Sequence, residues 1–494
     1  MLLLGLLILI ISCKANEDNN NTANSSDNMN DTTNETSNSE SDLPKRNFDG
    51  MEITFLTRPI NHGASERHYS EAYAEEQNAE LMNDAIYKRN LAIEEKYNVK
   101  IRSIASSSSN VATIADDIRI SYDAGEVLFD AAFASVNDSA TLYSNGYLVD
   151  LKTVPNLNLD KSWWDQRAIE GLSIGGKLFS AVGDITPWSY PMTGTVIVNN
   201  ELIKQYMLEN PYELVKNNNW TFDKFYELSL AVSEDLNGNG AMDENDRYGG
   251  LLAREKFFIM FIAGGNNFVK KDADDLPYVT IYNERSLQVA QKIFDILTDR
   301  NATYIMEYYS LDPFGGQKYA NPFEEMIRTP FRNGQGLFIQ DWLGAVIGFR
   351  DLETDIGILP LPKYDSNQDE YYCMVSTFWA SNIVIPKSNE KLDETGFIIE
   401  ALCAESTNTL RPAFYEYTLT AKMLRDEESI DMLDIIFNSR VYDIGIINNW
   451  GNMVNMFAEI FDSGTFNFAS KFDERQATVE SDMQRTIDSF INYN

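Results

Sequence analysis

Val127-Leu128-Phe129-Asp130-Ala131-Ala132-Phe133 runs almost unbroken in apolar residues. A run of this length without alternation is what a strand covered on both faces requires. Upstream of it, Glu52-Ile53-Thr54-Phe55-Leu56-Thr57 alternates as a strand does. Residues 71–97 predict a helix, with Leu81, Ala85, Tyr87, Leu91 and Tyr97 among its apolar positions, and Val99-Lys100-Ile101 begins a second strand. Residues 111–123 predict another helix, and a helix containing Leu142 follows the opening run. Strands alternating with helices predict an α/β lobe around a largely parallel sheet. Ligands of such sheets bind beyond the carboxyl ends of the strands. That rule points to Thr57 and Arg58, and to Ser135 through Asp138.

Further along, Gly176-Lys177-Leu178-Phe179-Ser180 reads as a turn into a strand, and Thr195 to Val198 as a strand with a helix after it, around Glu201 to Met207. Trp220-Thr221-Phe222-Asp223 opens a helix with Thr221 as N-cap. Residues 286–298 are helical by pattern, 336–339 and 356–360 are short buried strands, and 382–385 precedes Pro386. The tail from 395 reads as mainly helical.

Met1 to Ile11 is apolar and ends in Ile10-Ile11-Ser12-Cys13. The run is too short to span a bilayer and fits a signal-peptide core. Its end is similar to a bacterial lipobox, with cleavage before Cys13 and the lipid on its sulfur. Lys14 to Asn47 is Asn, Ser, Thr, Asp and Glu with few large apolar residues, a composition that cannot offset its ordering entropy. Such a tether holds a soluble body near a membrane. The remainder is large for one core and suits two or three lobes. A net charge of −35 argues against nucleic acid or an anionic membrane surface as a partner. Cys373 and Cys403 sit in apolar surroundings and read as buried free thiols, although pairing is compatible with the sequence.

The most specific local motif is the segment Asp235 to Asp246, DLNGNGAMDEND. Oxygen ligands fall at loop positions 1, 3, 5, 9 and 12, with Gly240 at the sharp turn, which is the calcium-loop spacing. The expected ligands are Asp235, Asn237, Asn239, the Ala241 carbonyl, Asp243 and Asp246. Asp at the last position reaches less far than Glu. No paired second loop follows, so a structural Ca2+ staple is expected rather than a switch. Enzymatic signals are weak. Gly171-Leu172-Ser173-Ile174-Gly175 matches a nucleophile elbow, but a turn and a strand follow it, and the only histidines, His62 and His68, lie far upstream.

Taken in order, these segments resemble family 1 extracellular solute-binding lipoproteins. The lipobox, GKLF at 176–179, TVIVNNEL at 195–202, WTFD at 220–223, the Asp235 loop followed by Arg247-Tyr248-Gly249, IGILPLPKY at 356–364 and IVIPKS at 383–388 carry the likeness. Phe222 stands where a second Trp is common, and Ser180-Ala181-Val182 replaces a frequent Tyr-Xaa-Xaa-Pro. The resemblance implies an α/β, two-lobe periplasmic-binding-protein-like clamp with a hinge and a central ligand cleft. The implied division is a signal peptide at 1–12, a lipidated tether at 13–47, one lobe at 48–186 and 371–425, and a second at 187–370 and 426–494. Crossovers are implied near residues 187, 371 and 425. The ligand would be a sugar or oligosaccharide, passed to the permease subunits of an ABC transporter.

Sugars present apolar ring faces and hydroxyl edges, so aromatic platforms with Asp, Asn, Gln and Arg are expected to bind them. The candidates are Arg58, Asp138, Asp184, Trp188, Gln340, Asp341, Trp342, Ser376, Trp379 and Trp450. Trp163 and Trp164 read as packing residues at the interlobe region or surface. The expectation is a monomeric, non-enzymatic receptor on the extracellular face of a bacterial membrane, attached only through its lipid. The rivals are a secreted carbohydrate-active enzyme and a ligand sensor that docks on a histidine kinase.

Overall fold

The computed structural model describes residues 43–60, 69–107, 113–311, 316, 318–420 and 427–493. The signal peptide, Cys13, most of the tether and both histidines lie outside the described residues. The chain folds as two α/β lobes, each on its own sheet.

The first sheet has the order β12-β3-β1-β2, from β1 (Met51–Thr57), β2 (Val99–Ala105), β3 (Ala131–Ser135) and β12 (Ser381–Val384). β1 pairs parallel with β2 and β3, while β12 is antiparallel to β3. β3 is buried throughout, as the unbroken run predicts, but it begins only at Ala131. Val127 and Leu128 stay 41% and 53% exposed on the way in. Asp130 ends that approach, accepting the Thr54 N–H at 2.8 Å. The long helix is also shorter than its periodicity suggests. α1 spans Leu81–Tyr97, because Glu80 caps it by accepting the N–H groups of Met82 and Asn83, and Ala79 stands at φ 68°. α2 (Ala115–Asp123), α3 (Val136–Ser144) and α4 (Gln166–Leu172) complete this half.

The second sheet is mixed, in the order β10-β4-β9-β5-β8, from β4 (Gly194–Asn199), β5 (Tyr248–Leu252), β8 (Thr303–Ile305), β9 (Gly336–Trp342) and β10 (Ile356–Leu359). Around it stand α5 (Phe222–Val232), α6 (Lys256–Ala263) and α7 (Glu284–Thr298), with the hairpin β6 (Val269–Lys271) and β7 (Pro277–Val279) between the last two. Thr221 caps α5 as expected, accepting the Lys224 N–H. Trp220 is fully buried and donates to the Pro360 carbonyl at 2.9 Å.

Three segments run side by side between the halves. Thr193 bridges Val375, and the Ser376 N–H donates to Met192 O at 2.9 Å. β11 (Cys373–Met374) pairs parallel with β13 (Arg440–Val441). These segments are residues 192–193, 373–376 and 440–441. The crossover implied near 425 falls outside the described residues.

Helices α8 (Leu392–Asn408) and α9 (Leu410–Thr420) follow β12, and α10 (Glu427–Asn438) leads to β13. The rest of the tail includes α11 (Ile444–Asn448), α12 (Met453–Asp462) and α13 (Gln476–Ile491). It does not belong wholly to the second lobe. Phe457 of α12 packs on Phe257 and Phe261 of α6. Phe490 of α13 instead packs on Tyr143 of α3 and on Phe179, and the Tyr493 hydroxyl donates to Leu148 O. Both remaining cysteines are buried free thiols.

Candidate ligand site

Arg58 follows β1 at the carboxyl edge of the first sheet. Its guanidinium is fully buried. Nη2 donates to Trp379 O at 2.9 Å and to Ser381 Oγ at 2.6 Å, Nη1 reaches Phe378 O at 3.4 Å, and the Glu71 carboxylate lies 4.0 Å away. Arg58 therefore fixes a turn. Ser376 closes the same turn, its hydroxyl accepting the Trp379 N–H at 3.2 Å. What the turn presents is aromatic. Trp379 is partly buried, and its ring meets Phe378 edge-on, with centroids 4.8 Å apart at 87°. Phe378 is 43% exposed, and the sequence reading passed it over. Its position beside Trp379, where the chain returns to the first sheet, was the available signal.

The second cluster stands at the carboxyl edge of the second sheet. Trp342 ends β9, partly buried, beside a lysine that the sequence reading also missed. The Lys256 ammonium lies 5.5 Å from the Trp342 ring and 5.4 Å from Phe323, and pairs with Glu255 at 3.0 Å. Lys256 is 2% exposed, so its charge is held between two aromatic faces. Asp341 is buried and bound to Arg328 at 2.9 Å. Burial pushes its carboxyl up, but the nearby Arg328 and Lys256 charges outweigh that and hold it below the usual carboxylate range. Gln340 is buried beside it, its amide nitrogen without a hydrogen-bond partner. A Cβ built on Gly194 would lie 3.7 Å from the Trp342 ring and 3.2 Å from Met374 O, so this ring sits against the linking segments.

The other four expected contacts are engaged within the protein, Asp138 next to the aromatic turn, since the neighbouring Asn137 N–H donates to Thr377 O at 2.9 Å. Asp138 lies in the first turn of α3 and accepts from Thr113 Oγ1 at 2.6 Å and the Ile114 N–H at 2.9 Å, tying two segments together. Burial raises its pKa against those bonds and the Arg58 charge. Asp184 is buried, with one oxygen taken by the Tyr190 hydroxyl and the other by Thr407 at 2.7 Å, and burial raises its pKa. Trp188 is 1% exposed and stacks on Tyr69 at 5.1 Å. Trp450 is buried against the last helix, and Thr486 takes its only donor at 2.8 Å. In this conformation, Asp184 and Trp450 have their polar atoms satisfied within the protein and Trp188 is packed in the core. The structure groups Arg58, Ser376 and Trp379 in one cluster and Gln340, Asp341 and Trp342 in the other. Both stand where α/β sheets take ligands.

The Asp235 loop is oxygen-rich and wrapped on itself. Asp235 accepts the N–H groups of Gly238 and Gly240, both at 2.7 Å, Asn237 accepts that of Asn239, and Asn239 that of Ala241. Asp246 accepts from Leu236 and Asp243, closing the loop, and the Asn245 N–H helps hold the Asp243 carboxyl below its usual range. The donor chemistry fits a hard cation. The Asn237 and Asn239 amides point nitrogen at Asp243, their oxygens being taken by backbone N–H groups. Among the described residues, no three His, Cys, Asp or Glu side chains are drawn together as a metal-holding group.

Solved structures with this fold include the ABC substrate-binding protein Lmo0181 of Listeria monocytogenes in complex with cycloalternan, at 13% identity and TM-score 0.52 over 90% of this chain and 100% of that one. The maltose/maltodextrin-binding domain MalE of Bdellovibrio bacteriovorus, bound to maltotriose, matches at 11% and 0.53 over 88% and 100%. UspC of M. tuberculosis matches at 13% and 0.56 over 87% and 100%. None of the curated proteins matches. No helix among the described residues is long and apolar enough to cross a membrane. Residues 91–418, more than half of the chain, match the model of the bacterial extracellular solute-binding protein family, and the chain belongs to that family.

Proposed function

We propose that this protein captures a sugar or oligosaccharide between its two lobes and hands it to the permease subunits of an ABC transporter. The observation that carries this reading is aromatic side chains at each sheet's carboxyl edge, the Phe378–Trp379 pair at the first and Trp342, with Phe323 across the Lys256 ammonium, at the second, each backed by buried polar groups. Aromatic faces take the apolar faces of pyranose rings, and the polar groups beside them take hydroxyls. The glycan complexes of the Listeria and Bdellovibrio proteins support the same class of ligand. Binding is reversible and breaks no bond, and lobe closure reports occupancy only as far as the ligand prefers the closed form. A monomer tethered by a lipid on Cys13, outside a bacterial cell, completes the proposal.

A thermal-shift screen against an oligosaccharide panel tests it. A ligand at 100 times its dissociation constant should add about 2.7 kcal/mol of stability. A shift with one glycan class and no product afterwards supports a receptor. Product formation would instead make the protein an enzyme, and a flat panel would remove sugars as its cargo. Within that reading, Trp342→Ala should weaken glycan binding by about 1–3 kcal/mol; equal affinity would return Trp342 to packing.

Calcium is proposed as a structural ion of the 235–246 loop. Asp235, Asn237, Asn239, Ala241, Asp243 and Asp246 would hold it, and it would staple the loop between α5 and β5. Asp235→Ala combined with Asp243→Ala should lower the melting temperature and abolish its rise with added calcium. An unchanged calcium response in that variant would refute the assignment.

A further inference from the structure

We infer that Asp275 sets the affinity of the clamp from outside the cleft, by holding a hairpin of the second lobe onto a turn of the first. The β6–β7 hairpin leaves the second lobe between α6 and α7. Its tip is pre-folded, since Asp272 Oδ1 accepts the N–H groups of Asp274 and Leu276 at 3.0 and 2.9 Å. Asp275 stands there at φ 61°, and its carboxylate reaches across to the 173–176 turn. One oxygen accepts from the Ser173 hydroxyl at 3.0 Å and the other from the Gly176 N–H at 3.0 Å, while the Gly175 N–H donates to Asp275 O at 3.0 Å. Lys271, on the same hairpin, pairs with Asp275 at 3.1 Å and donates to the carbonyls of Glu170 and Ser173. A hairpin this short, bound at its tip and at the strand end beside it, is a clasp.

Its position decides its effect. Arg58, Ser135 and Ser381 mark the carboxyl edge of the first sheet, where the aromatic turn stands. Leu148 bridges Pro386 at the opposite edge, and the Leu151 N–H donates to Leu178 O there at 2.7 Å. The 173–176 turn lies beyond that far edge. Beside it, a cavity of about 380 Å³ separates α4 from β6, and its lining includes Tyr372, Arg440 and Tyr442 of the linking segments. The clasp is therefore on the hinge side of the molecule. A rotation about the linking segments that brings the carboxyl edges together draws the far edges apart on this side. The clasp opposes closure. A clamp whose binding-competent state is held scarce binds with reduced apparent affinity, and freeing that state raises the affinity by the same factor.

The test uses the whole chain with Cys13→Ser and nitroxide labels at Arg119 and Asp295, one on α2 and one on α7. Without any ligand, Asp275→Ala should raise the population of the shorter label separation about fivefold to a hundredfold, as expected for losing two hydrogen bonds. An identical distribution in the folded variant, or a shift to longer separation, overturns the inference. If Asp275→Ala does not stay folded, Ser173→Ala removes one clasp bond and should move the distribution the same way by a smaller factor. The affinity arm rests on the sugar reading: with maltotriose as probe, the dissociation constant should fall by the factor seen in the label populations. If maltotriose binds neither protein, the sugar reading loses this probe, and the ligand-free distances still decide the clasp.

Discussion

Gly249→Ala is expected to cost several kcal/mol of stability and to lower the melting temperature by more than 10 °C, on the order of 2–4 °C per kcal/mol for lobes of this size. Gly249 lies in β5, where α5 crosses the second sheet. A Cβ added there would fall 1.9 Å from Ser229 Cα and 2.4 Å from Ser229 C. Those are helix backbone atoms, so no rotamer can relieve the overlap. The helix has to move off the strand. Doing so would break the Gly249 N–H bond to Ser233 Oγ at 3.1 Å and open the stack of Phe225 on Phe338, whose centroids are 5.1 Å apart. Overpacking costs about 1–3 kcal/mol where side chains can adjust, and more where the backbone must shift. Urea unfolding of wild type and variant measures the loss. A variant within 1 kcal/mol of wild type would mean that α5 and β5 are farther apart than the structure places them.

Glu400→Ala is expected to cost about 2–5 kcal/mol, because it leaves buried donors without an acceptor. Glu400 is 2% exposed on α8. Its carboxylate accepts the indole N–H groups of Trp163 and Trp164, both at 3.0 Å, and the Asn158 N–H at 3.1 Å. The adjacent tryptophans are thus neither surface nor interlobe packing; they are core anchors around one acid. The segment they anchor carries Asp165, which binds Arg440 of β13 at 2.9 Å, so loosening it should also loosen a linking segment. Burial raises the Glu400 pKa above the usual carboxylate range, against its three hydrogen bonds. A carboxyl with a raised native pKa binds its proton more tightly when folded. Its contribution is therefore greatest below the ordinary Glu pKa and declines as pH rises through the raised value. Glu400→Gln should remove that decline while still losing stability, since its amide presents N–H to one indole. A denaturation series across acid to neutral pH checks both statements. An alanine variant as stable as wild type would show that the indoles find other acceptors.

Local rules reached a good deal of this molecule. Strands at 195–198, 336–339, 356–360 and 382–385 fall on β4, β9, β10 and β12, because short buried strands between turn residues leave a mark in composition. Thr221 was legible as a cap because its hydroxyl acts three residues away. The helix predicted over 71–97 overshot because apolar spacing continues through residues that never enter it, and the stop at Glu80 comes from a cap and a backbone turn. The run at 127–133 overshot for a similar reason. Pattern shows that apolar residues need cover but not which of them find a partner strand.

The sequence by itself determined the α/β class, the family, the two-lobe form and the oxygen-donor loop, because periodicity, turn residues and ordered motifs are local properties of the chain. It also determined that tryptophans and acids are present in numbers a sugar site needs. Only the tertiary structure decided which of them stand at a sheet edge. Trp188 and Trp450 are packed in the core, Arg58 holds a turn, and Phe378, Phe323 and Lys256 take places no local pattern announces. The reason is physical. A side chain's exposure and its hydrogen-bond partners depend on segments far away in the chain, as when Lys256 meets Trp342 or Asp275 meets Ser173. Those meetings are set by how the sheets and the tail pack, and packing is a property of the whole fold.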